Sequence, residues 1–562
     1  MPPTEPRAPS RPRVLVTATP PTPNGDLHLG HLSGPYLRAD VYSRALRMRG
    51  VEAYYLTGID DHQSYVALKG ERVGMTADEA ADHFGALMAA SLRSARIHPD
   101  LVVRPRRSAH HVPFVQEFFA RLLADGHLVL RDAAALFCDG CREFIFEAYA
   151  SGACPHCGSG SGGNACEVCG RPNDCADLGG ARCNRCGEAP SVRSYPRLYF
   201  PLAPWTARLR EYWASAHMGP HLASLCERMV ADGLPEVAVS HAAEWGIPVP
   251  APGPEGQRIY VWFEMAAGYL AATLDLARAK GLDGGWEPFW KEPGTPVVQF
   301  FGFDNGYFHA VLFPALFFAY DGRIRPPSTF VTNEFYRLEG LKFSTSRGHA
   351  IWGQDFLARV PADAVRFHLA LTGPETEQTN FGADEFAGTV RGELAGRWGE
   401  WLERLGAAVR HECGGAAPAP GAWTHEHHEF LARLRGWAEA VDQAYQARTF
   451  SPARAARTLA ELVAGARRFG AAEEHWRGVR EGERRTGLAL ELAAARTLAL
   501  LAAPLMPDFA AALWCDLGHG DPLEAEGWEG GPALPLPGRP VRLGAPEAET
   551  AAVFAAWAAA AP

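Results

Sequence analysis

Four C-x-x-C pairs, Cys138/Cys141, Cys154/Cys157, Cys166/Cys169 and Cys183/Cys186, crowd into one Gly-rich stretch and constrain the fold more than any other feature of the chain. Two-residue spacing lets both thiolates of a turn face one ion, and two such knuckles close a tetrahedral Zn²⁺ shell. Eight ligands imply two ions. A four-thiolate shell leaves no open position, so the expected zinc is structural. Redox or disulfide use would suit an exported protein, but "MPPTEPRAPSRP" (1–12) is polar and Pro-rich, has no apolar signal core, and reads as a disordered leader of a cytoplasmic protein.

Around the knuckles the pattern is α/β. From 13 to 130, apolar runs such as "RVLVTAT" and "VEAYYLTGID" alternate with helical patterns, the signature of an open parallel sheet. Strand-like runs resume at "RIYVWFEM", "TPVVQFFGFD" and "PSTFVTNEF", as in a sheet interrupted by an insertion and then completed. Beyond about 385, apolar spacing at three and four indicates antiparallel helices. The run "GLALELAAARTLALLAAPLM" contains Glu491, Arg496 and Pro504 and so reads as a bundle helix, not a membrane span. The expected divisions are a catalytic domain in two halves (13–130 and 251–330), a connective insertion (131–250), a loop and linker (331–390) and a helical bundle (391–562). A net charge of −10 restricts any nucleic-acid contact to a local patch, and 16 Arg against 14 Asp plus Glu between 391 and 500 supports one only weakly.

Three further motifs carry chemistry. In "TATPPTPNGDLHLGH" a strand ends near Thr19, and His28, Gly30 and His31 fall at a helix start, where a sheet of this type binds phosphates; a plain surface helix start is the alternative. Asp60, Asp61 and His62 end the second strand, suited to an ammonium or a ribose hydroxyl, or else solvated loop acids. "VVQFFGFDNGYFHAVLF" repeats the arrangement with Gly302, Asp304 and His309, although His309 by itself reads as a packed core residue. Finally, "GLKFSTSRG" places Lys342, one of four lysines against fifty arginines, in a small loop with Ser344, Thr345, Ser346 and Arg347. A mobile ammonium there suits a triphosphate.

Together these residues resemble the methionyl family of class I aminoacyl-tRNA synthetases, in its two-zinc, archaeal-type form. "HLGH" is similar to the signature HIGH and "KFSTS" to KMSKS, and the similarity spans roughly 13–510. The resemblance implies a doubly wound parallel sheet of Rossmann type with a zinc-knuckle insertion and a C-terminal α-helical bundle. It implies nested knuckles, 154/157 with 166/169 on one ion and 138/141 with 183/186 on the other. ATP, with Mg²⁺, would then sit on His28, Gly30, His31, Asp304, Lys342, Ser346 and Arg347, with His28, His31 and Lys342 catalytic. The amino acid would be held by Asp60, Trp262, Tyr269, Phe308 and His309, and tRNA by Arg404 and Trp476.

The chain also departs from the family pattern. Thr19-Pro20-Pro21-Thr22 replaces Ala-Leu-Pro-Tyr, Glu264-Met265-Ala266 replaces Asp-Ala-Pro, Val237 replaces a pocket Trp, and Ser240-His241-Ala242 replaces Ser-Arg-Asp. Thr345 stands in for the second lysine of the loop, and Glu400 for an anticodon-reading Asn. These departures favour a divergent paralogue of specialised metabolism, which makes an aminoacyl adenylate and passes the acyl group to an N-hydroxylated amine with the help of a separate cupin-type partner. The alternative is the methionine tRNA ligase of translation. A third possibility is a catalytically dead synthetase fold kept for binding.

Overall fold

The computed structural model describes residues 13–343, 348–528 and 531–560. Five parallel strands form the central sheet, in the order Thr329–Asn333, Val297–Gly302, Arg13–Ala18, Glu52–Gly58 and Leu101–Val103. The first strand lies in the middle, with Val16 beside both Val298 and Tyr55. Its alternation divides the core, since Val14, Val16 and Ala18 pack in one hydrophobic cluster and Leu15 in another. Both faces are therefore covered, which is why the strand reads as a continuous apolar run. One cover includes helix Leu37–Met48 and the other helix Val261–Ala279.

The chain leaves Arg13–Ala18 toward Glu52–Gly58 but leaves Val297–Gly302 toward the opposite edge. That reversal opens a crevice at the carboxyl ends of the two central strands. The segments that follow them carry His28 and Asp304.

The insertion is antiparallel. Val129–Cys138 pairs with Ser191–Pro201 from Val129↔Tyr199 to Phe137↔Ser191, flanked by Glu143–Ile145 and Glu236–Ala238. A smaller sheet of Ala150–Ala153, Gly160–Ser161 and Gly179–Cys183 holds the knuckle region together.

The tail packs helices Gly399–Cys413, His425–Ala444, Pro452–Glu473, Glu481–Ala502, Pro507–Asp516 and Glu549–Ala559. Their core is continuous with one face of the sheet. Buried Arg366 pins the junction: it pairs with Asp40 at 2.7 Å and donates to the carbonyls of Pro504 and Leu505 at 2.8 Å each. Among the described residues no helix is long and apolar enough to cross a membrane.

Candidate functional site

The crevice is built first by "HLGH". His28 caps the short helix Leu29–His31: its Nδ1 accepts from the His31 backbone N–H at 3.2 Å, while His31 Nδ1 accepts from the His28 N–H at 3.3 Å. The rings stack with centroids 3.6 Å apart. Burial holds His28 well below its ordinary pKa, helped by the charges of His31 and Lys342, and burial followed by Lys342 lowers His31 to about 4. Both rings are therefore neutral near pH 7. Because each Nδ1 accepts, each proton sits on Nε2, leaving two N–H donors side by side.

The Lys342 loop closes against this element from both of its ends. Phe343 stacks on His28 at 4.9 Å, and a Cβ on Gly30 would come within 3.1 Å of both the His28 ring and Phe343. On the far side of the loop, Ile351 accepts from the Leu29 N–H at 3.1 Å, and the Gly353 N–H donates to Leu27 at 2.7 Å. Ser344, Thr345, Ser346 and Arg347 lie outside the described residues. Asp304 faces the same space; burial lifts its carboxyl to about 6 against the pull of Lys342.

The adjacent acids of the second strand separate. Asp61 is fully buried against Arg104 at 2.9 Å, so it serves the fold. Asp60 instead shares a small pocket with Pro20, Met265 and Tyr269. Burial, then the charge of Glu264, raises its carboxyl well above the usual range. An arriving ammonium would reverse that and ionise it.

Of the other residues that the resemblance assigns to the amino acid, Tyr269 lines the pocket with Asp60, whereas Trp262, Phe308 and His309 are not part of its lining. Trp262 stacks on Phe308 with centroids 3.7 Å apart. His309 donates from Nδ1 to the Asn305 carbonyl at 3.0 Å, which leaves Nε2 to accept from the Tyr269 hydroxyl, also at 3.0 Å. Burial lowers His309 to about 3, so the ring is a neutral acceptor and not a cation.

Beneath this pocket is a cluster that the sequence did not reveal. Glu264 Oε1 bridges His62 Nδ1 at 2.7 Å and His111 Nε2 at 2.8 Å, and all three side chains are almost wholly buried. Burial pushes the Glu264 carboxyl up, but His62 and His111 outweigh it and hold the group at about 2. Positions 62, 111 and 264 share no local motif, so only the fold brings them together.

The knuckles fit zinc. The two tetrads are Cys138/Cys141/Cys183/Cys186 and Cys154/Cys157/Cys166/Cys169, the nesting implied by the resemblance. Sulfur separations of 3.3 and 3.8 Å in the first and 3.9 and 3.6 Å in the second bracket the ~3.8 Å edge of a tetrahedral shell with 2.3 Å Zn–S bonds. All four turns close in one way, with the N–H after the second Cys donating to the carbonyl of the first: Arg142 to Cys138 at 2.7 Å, Gly158 to Cys154 at 2.9 Å, and Gly170 to Cys166 and Gly187 to Cys183 at 2.8 Å. Each donor has a left-handed φ, +58° at Arg142 and +74° to +80° at the glycines.

Other expected positions take different roles. His241 stacks on Phe146 at 4.5 Å and lines a cavity of about 520 Å³ under the insertion, beside Val237, Glu147 and Arg197. Burial keeps it neutral, so it does not supply the cation of the family's Arg. Arg404, expected to face tRNA, instead neutralises fully buried Glu491 at 2.5 Å. Glu400 pairs with Arg467 at 3.0 Å. Trp476 is partly exposed with the Arg480 guanidinium 4.7 Å from its ring centroid, a surface on which a base could stack.

Comparison with known proteins places these elements in context. The family model described as "tRNA synthetases class I (M)" matches residues 14–406. The methionine–tRNA ligase of Thermomicrobium roseum is 34% identical over 508 residues, covering 90% of this chain and 86% of that protein. The methionine–tRNA ligase of Pyrobaculum islandicum is 32% identical over 518 residues, covering 92% and 90%. Mycobacterium tuberculosis methionyl-tRNA synthetase in complex with methionyl-adenylate superposes with a TM-score of 0.78 over 94% of this chain and 98% of that one; at 20% identity this is a likeness of fold.

Proposed function

The chain belongs to the methionyl family of class I aminoacyl-tRNA synthetases, and from that premise we propose that it joins methionine to tRNA through a methionyl adenylate made from ATP. The relatives are tRNA ligases, which favours the translation enzyme over a paralogue of specialised metabolism. Neither a hydroxylated-amine acceptor nor a cupin-type partner has support among them, and tRNA takes their place in this reading.

In the activation step the amino-acid carboxylate attacks the α-phosphorus of ATP and the bond to pyrophosphate breaks. The chain's contribution is position and charge. Asp60 holds the ammonium, and Trp262, Phe308 and the Tyr269–His309 pair form the walls around the side chain. The Nε2–H donors of His28 and His31 meet phosphate oxygens, Lys342 balances charge on the triphosphate that arrives with Mg²⁺, and Asp304 addresses the ribose. A ribose hydroxyl of tRNA then takes the acyl group and AMP leaves.

The cysteine tetrads would hold two zinc ions that fasten the insertion, and an ion with four thiolate ligands would serve structure and not Lewis-acid chemistry. Residues 13–130 and 251–330 act as the catalytic domain, 131–250 as the connective insertion and 391–562 as the tRNA-facing bundle, with Trp476 as its base platform. The enzyme works in the cytoplasm.

The observation that carries this reading is the meeting of neutral His28 and His31, Asp304 and Lys342 at the reversal of the sheet. The test is pyrophosphate exchange with each of the twenty amino acids, followed by charging of methionine tRNA. Methionine-dependent exchange and charging are expected. Exchange with another amino acid and none with methionine would overturn the choice of substrate.

A further inference from the structure

Lys342 does not stand free in the crevice. Its Nζ lies 2.6 Å from Glu167 Oε2, and Glu167 sits between the zinc ligands Cys166 and Cys169. Each partner is anchored by something else. A Cβ at Gly170 would stand 2.9 Å from Leu225 Cδ2 and 3.2 Å from Phe303 Cζ, so this knuckle leans on the residue immediately before Asp304. Lys342 is held through the pairing Arg337↔Lys342, and its ammonium lies 4.0 Å from the centroid of the Phe335 ring.

A carboxylate and a phosphate compete for one ammonium, because each is an acceptor for the same charge-assisted hydrogen bonds. We propose that Glu167 is a positioning residue that parks Lys342 at the edge of the crevice in the nucleotide-free protein, and that the triphosphate of ATP displaces it. The inference rests on the amino-acid-activating function proposed above. It makes the inner knuckle part of the nucleotide response, since the Cys166–Gly170 turn, closed at 2.8 Å and resting on Leu225 and Phe303, fixes where the competing carboxylate stands. ATP must break the pair before it gains the lysine, so the pair raises the ATP requirement without taking part in the chemistry.

The test compares wild type, Glu167→Gln and Glu167→Asp in pyrophosphate exchange, with zinc content measured on the same samples. Removing the charge should lower the KM for ATP about two- to fivefold, the range for a partly exposed ion pair, and change kcat less than KM. Glu167→Asp, which keeps the charge, should stay near wild type. The difference should vanish near 1 M salt, where the screening length falls to about 3 Å. In a Lys342→Ala background Glu167→Gln should have no effect on the ATP KM. A residual effect there would show that Glu167 acts directly on ATP, and the inference would fail. An unchanged or raised ATP KM for Glu167→Gln would overturn it too, as would loss of zinc from that variant, because Glu167 would then serve the knuckle alone. If wild type exchanges with no amino acid, the functional reading fails while calorimetric ATP affinities of the same variants still decide the pairing.

Discussion

Arg404→Ala separates a structural from a tRNA-binding role most cleanly. The guanidinium lies 2.5 Å from Glu491, whose side chain is wholly buried, and the other described contact of that carboxylate is Trp401 Nε1 at 3.2 Å. Glu491 Oε1 already lacks a partner, and a Cβ at Gly470 would collide with both members of the pair, so the pair is closely packed. Breaking a buried pair costs about 3–5 kcal/mol, and the 28% exposure of the Arg404 side chain points to the lower end. Over a helical unit of this size ~3 kcal/mol corresponds to a fall of roughly 6–12 °C in the bundle's melting transition. Burial raises the Glu491 pKa above the ordinary glutamate value of 4.5, with Arg404 opposing. The folded state then holds a proton that the unfolded state has lost, so this group's contribution to stability falls as pH rises through the window above 4.5. Removing Arg404 extends that window upward. The deficit of the variant should therefore be largest above neutrality and shrink toward pH ~5. Calorimetry at two pH values reads this, and replacing Arg404 and Glu491 together by Leu should restore much of the stability. An unchanged melting temperature with a tenfold higher KM for tRNA would refute the structural assignment.

Three further outcomes are expected. Lys342→Ala should lower kcat of pyrophosphate exchange by about 10²- to 10³-fold, the usual cost of ~3–4 kcal/mol for one preorganised donor. The protein should carry two zinc ions per chain by atomic emission, and Arg142→Gly, which relieves the one left-handed non-Gly position among the four knuckle turns, should stabilise its site by about 1 kcal/mol against chelator. Because burial and the charge of Glu264 raise the Asp60 carboxyl well above the usual range in the free pocket, affinity for the amino acid should rise as pH rises above that range, while Asp60→Asn should bind weakly with no such trend, both read from KM in exchange.

How far the sequence could be read depended on how locally each group is held. The knuckles and "HLGH" were legible because their donors lie within a few residues and one turn brings them together. The sheet was legible because strands covered on both faces are written as unbroken apolar runs. Asp60 and Asp61 looked equivalent because they are neighbours, yet Arg104 takes one while the pocket takes the other. Glu264 was noted as a change from Asp, but its two imidazole partners arrive from elements far away in the chain. The Glu491 partner of Arg404 was not legible because nothing local announces that it lies 87 positions on.

The same difference bears on what the departures around the pocket mean. Glu264 lines the pocket together with Asp60; its Oε1 is taken by His62 and His111, while its Oε2 is buried without a hydrogen-bond partner among the described residues. The longer side chain lets one carboxylate oxygen serve both rings from a single helix position. The change therefore belongs to the floor that carries Asp60, where it keeps negative charge close and helps hold that acid protonated until an ammonium arrives. His241 likewise trades a cation for a neutral ring packed on Phe146. Pro20 and Met265 line the pocket with Asp60 and Tyr269 and offer it apolar contacts, while Glu264 gives the same lining a carboxylate. An apolar wall separates neighbouring aliphatic side chains by only about 1–3 kcal/mol. The Tyr269 hydroxyl, 3.0 Å from His309 Nε2, adds a polar edge beside these apolar walls.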